Sequence, residues 1–335
     1  MNILLTSVGR RRYIVEYFKE ALKGSGKIHV SNSVYTMAME TADSFLITPL
    51  IYDEKYIPAL LNYCADNEIN AVLSLFDLDL PVLAKNRELF ACQGTKVILA
   101  PEESVTLCND KWKTSLFLIE NNIATPRTYL TLENALTGLR TGEVSFPLII
   151  KPRWGMASLG IYCAENEQEL MVLYDKSKRE IFSSYLQYES QQAPNDAVLI
   201  QQKLNGQEHG LDVLNDLDGT YVRTYAKKKI AMRAGETDIG ETVGSAEFEG
   251  IARVLSKKIR HEGILSVDCF VDRKGVSVTE LNCRISGHYP LSHLAGVNVP
   301  KQIVEWLHHK PTNESLLQFK EGLVIAKDLV PRIMK

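Results

Sequence analysis

The segment Gly263–Arg284 reads as a β-hairpin that lines up its charged residues on one face. Val276-Ser-Val-Thr-Glu-Leu-Asn-Cys-Arg284 has strand composition, and because strand side chains repeat every second residue, Glu280, Asn282 and Arg284 share a face. The preceding run, Gly263-Ile-Leu-Ser-Val-Asp-Cys-Phe-Val271, is β-rich, and Arg273-Lys274-Gly275 predicts a three-residue turn with glycine in the left-handed position. That register sets Asp268 opposite Glu280. Facing carboxylates repel unless something positive sits between them. Hard oxygen donors on a rigid hairpin suit Mg²⁺ that also carries nucleotide phosphates. The competing reading is a solvated hairpin face.

A chain of 335 residues has room for two or three domains at about 150 residues each. Its net charge of −3, with acidic and basic residues interspersed, leaves no nucleic-acid footprint; Arg10-Arg11-Arg12 and Lys227-Lys228-Lys229 are the longest basic runs. Small-molecule chemistry is the expectation. Cys64, Cys92, Cys108, Cys163, Cys269 and Cys283 form no C-x-x-C pair, which argues against structural zinc and for reduced thiols. No apolar run approaches the roughly 20 residues needed to span a bilayer, and no leader pattern opens the sequence, so a soluble cytoplasmic protein without membrane partners is expected.

Asn2-Ile-Leu-Leu5, Ile28–Val30, Ala71–Leu75 and Lys96–Leu99 carry buried-strand signals. Between them Ile14, Val15, Phe18 and Leu22, then Ile57, Leu60, Leu61 and Cys64, recur at helical spacing. This predicts an open parallel α/β domain over residues 1–105. A second section, 106–195, starts with a helix Asp110–Asn121, ends that element before Pro126, and continues with strands Phe146–Lys151 and Gly160–Cys163 and a helix Glu167–Asp175. Ser183–Asp196 reads as a polar connection. The third section, 196–335, is richer in strands: Ala197–Gln202, Gly210–Leu214, Tyr221–Ala226, the opening hairpin after a helix Ala246–His261, and one late strand in Gly322–Ala326.

Lys151 closes an apolar strand and runs into Pro152-Arg-Trp-Gly-Met-Ala-Ser-Leu-Gly160, where glycines let backbone N–H groups approach phosphate oxygens. A plain hairpin loop is the alternative. It is no Walker A, since Lys-Ser/Thr does not follow Gly160. Asp77 and Asp79 follow a strand where open sheets bind ligands, and capping of the next helix is the preferred reading for them. Ser7, Gly9 and Arg10 either bind a substrate carboxylate at a helix N-terminus or stay solvated. His288 and His293 have no third ligand beyond Cys283, so zinc is not favoured. A Ser-His-Asp hydrolase lacks its G-x-S-x-G elbow.

Taken in order, Asn109-Asp110-Lys111, Phe146-Pro147 to Lys151-Pro152 with its small-residue loop, Gln201-Gln202, Gly206-Gln-Glu208, Asp212, Arg233-Ala-Gly-Glu236, Asp268, Glu280-Leu-Asn-Cys-Arg284 and the glycine-rich Gly287–Gly296 resemble the ATP-grasp superfamily. The likeness is to members similar to the carbamoyl-phosphate-synthetase large subunit, and it runs from Met1 to about Leu307. It implies a mixed α/β and α+β architecture: an ATP-grasp fold behind an N-terminal open parallel α/β domain. It also implies ATP with one or two Mg²⁺, or Mn²⁺ in its place. Lys111 and Lys151 would contact ATP, and the loop with Gly155, Ser158 and Gly160 would fold over the triphosphate. The backbone of Gln201, Gln202, Lys203 and Leu204 would face adenine, Glu208 would hold the ribose, and Asp268, Glu280 and Asn282 would bind metal. Arg284, Arg233 and Lys229 would stabilise the transferred phosphoryl group. Such positioning and charge compensation is what phosphoryl transfer requires.

Three positions depart from the pattern: Cys283 stands where proline is usual, Gln201-Gln202 where glutamate is common, and the loop is sparse in glycine. The activity implied is ATP-dependent carboxylate–amine ligation through an acyl phosphate, with a small-molecule acid and amine as substrates and a homodimer left open. Phosphorylation of bicarbonate or carbamate is one alternative, and a non-catalytic nucleotide-binding regulator is another.

Overall fold

The computed structural model describes residues 1–156, 158–328, 330 and 333. Three sheets organise them. The first holds β1 (Asn2–Thr6), β2 (Lys27–Asn32), β3 (Ser44–Ile47), β4 (Ile69–Ser74) and β5 (Lys96–Val97), all parallel and in the order β3-β2-β1-β4-β5. The helix Arg12–Leu22 buries the foreseen stripe of Ile14, Val15, Phe18 and Leu22. The chain runs outward through β2 and β3, then returns to the other flank of β1 with β4. That reversal opens a crevice at the carboxyl ends of β1 and β4.

A four-stranded antiparallel sheet follows: β6 (Thr128–Tyr129), β7 (Leu148–Pro152), β8 (Tyr162–Ala164) and β9 (Val198–Gln202), in the order β6-β9-β7-β8. Leu148, Ile150 and Ile200 meet Leu170 and Ile181 of the helix Glu167–Phe182 in a core of their own. Both expected limits of this section move. Val198–Gln202 pairs with β6 and β7, so the chain leaves this sheet only after Gln202. The helices Glu102–Asn109 and Lys111–Glu120 contribute Val105, Cys108 and Leu118 to a core shared with the other two sheets instead. The stretch expected as a polar connection holds a short helix, Gln187–Ser190, and touches the first sheet's loops. Tyr188 stacks on Tyr52 at 4.6 Å, the Tyr52 hydroxyl donates to Glu189 at 2.9 Å, and Tyr185 lies 6.5 Å from Phe76.

The largest sheet is antiparallel and comprises β10 (Gln207–Asn215), β11 (Tyr221–Arg233), β12 (Glu236–Val243), β13 (Gly263–Asp272), β14 (Gly275–Asn282) and β15 (Val324–Ala326), ordered β14-β13-β10-β11-β12-β15. β12 has no apolar alternation to announce it. It exists because β11 runs on to Arg233 and pairs back, with Gly240 lying so close beneath Leu291 that a Cβ would come within 2.4 Å of the leucine's Cδ2. No helix among the described residues is long and apolar enough to cross a membrane.

Candidate nucleotide and metal site

Asp268 and Glu280 face each other across β13 and β14, as the sequence led us to expect, but for a different reason. Asp272 pairs with Gly275, so the turn holds two residues rather than three. The extra residue is Thr279, bulged between the pairs Cys269–Val278 and Asp268–Glu280, with its hydroxyl donating to the Asp268 carbonyl at 3.1 Å. Each carboxylate has its own lysine. The Lys229 ammonium, from β11, donates to Asp268 Oδ1 at 2.8 Å and to Glu208 Oε1 on β10 at 2.7 Å. Lys111 Nζ lies 3.3 Å from Glu280 Oε1. Burial works against the charges on Asp268 and Lys229. Their mutual attraction overcomes it, holding the carboxyl low and pushing the ammonium up, with Glu208 also raising Lys229. Asn282 sits two pairs further along β14, opposite Ser266.

Lys151, at the end of β7, faces the same cluster and has no hydrogen-bonding partner among the described residues. Burial, and then repulsion from Lys111, pull it down to about 8, against the attraction of Glu280 and Asp268. With its folded value below the unfolded one, stability on this account rises with pH between about 8 and the ordinary lysine range. A bound triphosphate favours the charged form, so above about pH 8 nucleotide binding is expected to take up a proton and to weaken as pH climbs. Calorimetry in buffers of different ionisation heat measures this; binding heats independent of buffer, or equal uptake in Lys151→Met, would make Lys151 a bystander.

The loop after Lys151 is anchored by a pair that sequence reading did not assign. Asp110 caps the helix Lys111–Glu120, accepting from the amides of Trp112 and Lys113 at 3.0 and 3.2 Å. It also takes Arg153 in a bidentate ion pair, 2.8 Å from Nε and 2.7 Å from Nη2, with both residues buried. The Lys111 amide donates to the Arg153 carbonyl at 3.2 Å, and its ammonium to the Gly155 carbonyl at 2.5 Å. The available signal was an aspartate just before a helical run. Within the loop Ser158 and Gly160 have φ of 58° and 70°. Gly155 does not take a left-handed φ; a Cβ there would lie 2.8 Å from that of Pro152. Ala157 lies outside the described residues.

Gln201 donates to Thr128 Oγ1 at 2.8 Å inside the four-stranded sheet, Gln202 ends β9, and Lys203 and Leu204 form the link to β10. Arg233 is not brought to the carboxylates: at the β11–β12 tip its guanidinium binds Asp238 and the Lys327 carbonyl. Arg284 lies past β14 and donates to Asp77 Oδ2 at 2.5 Å. The capping reading of Asp77 and Asp79 fails, since the helix Asp79–Lys85 has no side-chain cap. Asp79 is instead fully buried among hydroxyls, accepting from Ser7, Tyr56 and Ser74 at 3.1, 2.7 and 2.7 Å and from Thr6; burial raises its pKa. Ser7 is thus engaged, the Gly9 amide meets Asn32 Oδ1 at 3.3 Å, Arg10 is exposed, and Arg11 is the arginine that turns inward. His288 Nδ1 lies 3.2 Å from Asp212 Oδ1, and Nε2 shares a hydrogen bond of 2.9 Å with Ser266. His293 stacks on Tyr17 at 3.6 Å, so the two histidines serve separate contacts. Beneath them Asp212 is held by Lys227 at 2.5 Å and Ser292 at 2.6 Å. No group of three or more His, Cys, Asp or Glu side chains among the described residues is placed to hold a metal alone.

A family model described as ATP-grasp in the biosynthetic pathway with Ter operon matches residues 195–328, the part of the chain bearing these carboxylates. Those residues are an ATP-grasp domain. Residues 3–98 match the PylC-like N-terminal domain. The carbamoyl phosphate synthase large chain of Thermoanaerobacter sp. (strain X514) is 24% identical over 242 residues, 69% of this chain but 21% of its own length, so this chain spans about a fifth of that relative. Among solved structures, a biotin carboxylase–β,γ-ATP complex from Campylobacter jejuni superposes with a TM-score of 0.72 at 18% identity, covering 95% of this chain and 73% of that one. An L-amino acid ligase from Bacillus licheniformis gives 0.67 at 18% identity, over 96% and 77%. These structural likenesses establish the shared ATP-grasp fold.

Proposed function

We propose that the chain is an ADP-forming ligase that joins a carboxylate to an amine through an acyl phosphate. The observation that carries this reading is the convergence of Lys111, Lys151 and Lys229 on Asp268 and Glu280, with Asn282 two residues further along the same strand, where the four-stranded and six-stranded sheets meet. Mg²⁺ takes few protein ligands and keeps phosphate oxygens and water, so two carboxylates and an amide on neighbouring strands fit it, and Lys229 holds Asp268 ionised beforehand. When bound, the metal would offset charge on the β- and γ-phosphates.

In this reading a carboxylate oxygen of the acid attacks the γ-phosphorus and ADP leaves. The amine then attacks the acyl carbon, loses a proton and expels phosphate. Lys111 and Lys151 steady the phosphates, Arg284 faces the acyl phosphate, and Glu208, Gln201, Gln202, Lys203 and Leu204 line the nucleoside side. The four-stranded sheet acts as a lid that keeps water from the intermediate. The L-amino acid ligase and biotin carboxylase folds support this assignment. Phosphorylation of bicarbonate is kept as a second reading because the carbamoyl phosphate synthase likeness favours it.

An ADP-release screen with Mg-ATP, crossing amino acids, small carboxylates and bicarbonate with amines and ammonia, tests both. ADP release that requires an organic acid and an amine together is expected. Release driven by bicarbonate moves the assignment to the second reading, and nucleotide binding without turnover under any pair defeats both.

A further inference from the structure

Two rungs of the six-stranded sheet carry the residues proposed to hold the metal. Gly210, Asp268 and Glu280 form the first across β10, β13 and β14; Asp212, Ser266 and Asn282 form the second. Opposite residues of antiparallel strands share a face, with Cβ atoms about 4.5–5.5 Å apart, so Ser266 stands within reach of a buried aspartate on one side and of Asn282 on the other. His288 enters where the first rung has no side chain: a Cβ on Gly210 would come within 2.7 Å of its Cδ2. Glycine in mid-strand weakens a sheet, and the close approach of another group accounts for it here. The imidazole so admitted is buried. Its Nδ1 lies 3.2 Å from Asp212 Oδ1, and neither atom has a hydrogen-bond partner elsewhere among the described residues, while Nε2 meets Ser266 Oγ at 2.9 Å. Asp268 Oδ1 is 3.8 Å from Nε2, beyond hydrogen-bond reach.

These contacts select one form of the ring. Buried polar atoms are rarely left unpaired, so the proton belongs on Nδ1, facing Asp212 Oδ1. Asp212 is already matched by the Lys227 ammonium at 2.5 Å, and an imidazolium beside them would be a buried charge without a counter-ion. Burial, and then repulsion from Lys227, accordingly hold the His288 imidazole below the ordinary histidine range, against the attraction of Asp212. Nε2 is therefore bare, and the Ser266 hydroxyl donates to it. A hydroxyl has one proton. With that proton committed, Ser266 can only accept from whatever lies on its other side.

We propose that Asp212, His288 and Ser266 are positioning residues that turn the Asn282 carboxamide so that Oδ1 faces the cation, an inference that rests on the metal assignment in the reading above. Asp268 and Glu280 are symmetric, and either carboxylate oxygen serves. Asn282 has a wrong end, because its NH₂ group only donates and hard cations take oxygen. A freely rotating hydroxyl would tolerate both orientations of the amide. One held by a bare imidazole nitrogen accepts from Nδ2 and leaves Oδ1 for Mg²⁺. Metal ligands commonly owe their orientation to such partners outside the ligand set.

The test uses the full-length chain saturated with ADP and needs neither acid nor amine. Mn²⁺ followed by electron paramagnetic resonance is the probe, with Mg²⁺ as competitor. Ser266→Ala is expected to weaken Mn²⁺ binding about 10-fold, the low end of what losing a ligand's outer partner costs, and Ser266→Thr to restore part of it. ADP affinity without metal should be unchanged. In an Asn282→Asp background, where the side chain has no wrong end, Ser266→Ala should cost nothing further. Imidazole ¹⁵N shifts of the parent protein, which require no substitution, should report a proton on Nδ1 of His288 and a bare Nε2. An Nε2–H tautomer or an imidazolium there overturns the proposal. So does Mn²⁺ affinity unchanged in Ser266→Ala, or a loss equally large in the Asn282→Asp background, which would make Ser266 merely structural. Failure of the ADP-saturated parent to bind Mn²⁺ would instead count against the nucleotide and metal reading itself.

Discussion

Glu280→Gln is expected to lower kcat/KM for ADP formation by about 10²- to 10⁴-fold, the range that corresponds to several kcal/mol of lost metal-borne charge stabilisation. Glutamine keeps the volume and removes the charge opposite Asp268. Two effects combine. On the proposed reading the metal would lose one of two carboxylates, and Lys111 loses the oxygen 3.3 Å from its ammonium. Glu280 also supports the charge on Lys151, so that lysine should deprotonate at a still lower pH in the variant. Folding should be little changed, because the side chain stands at a rim, 28% exposed, and fills no core. ADP release at the parent rate would remove Glu280 from the metal assignment; denaturant titration alongside separates a folding defect from a catalytic one.

Asp110→Ala should be the most destabilising single change near the site. It strands the Arg153 guanidinium in a buried position, a mechanism that costs about 3–5 kcal/mol, and removes the cap of the helix Lys111–Glu120, a further 1 kcal/mol or so. Asp110→Asn separates the two: it keeps the cap and loses the charge, so most of the deficit should persist. Both variants should also bind nucleotide more weakly, since Arg153 carries the carbonyl that fixes the Lys111 amide. Urea unfolding with and without Mg-ADP measures each quantity. An alanine variant within 1 kcal/mol or so of the parent would mean that the pair contributes little beyond its solvated alternative.

The residues that sequence made legible are those whose chemistry is local. Period-two alternation put Glu280 and Asn282 on one strand, and composition marked β13 as its partner. The facing of Asp268 and Glu280 was right because two errors cancelled: a turn one residue too long stood in for a bulge at Thr279 that nothing in the composition announces. Where long-range pairing decides, local signals failed. Val198–Gln202 looks alike in either of two sheets, and only its partners Thr128 and Leu148 assign it. β12 lacks a pattern because it leans on β11 and on Leu291 above Gly240. Arg10 and Arg11 cannot be told apart by type; the turn into the helix Arg12–Leu22 decides which one faces Glu236. Asp79 reads as a cap, yet its four hydroxyl partners come from positions 6, 7, 56 and 74, gathered only when the sheet forms.

The aromatic bridge from Tyr188 and Tyr185 to Tyr52 and Phe76 ties the four-stranded sheet to the N-terminal domain as well as to its own covalent exit at 203–206. A flap held at one end swings freely; one held at both ends has to let go of one before it can move. Exchange of nucleotide and product would then be clocked by a stacked tyrosine pair far along the chain from the lysines proposed to bind phosphate. Such a pair is worth about 0.5–1.5 kcal/mol beyond its buried area, which at 1.36 kcal/mol per decade amounts to as much as tenfold in an opening rate. The pace of the enzyme would thus be adjustable by surface substitutions at Tyr52 or Tyr188 that leave every reacting group in place.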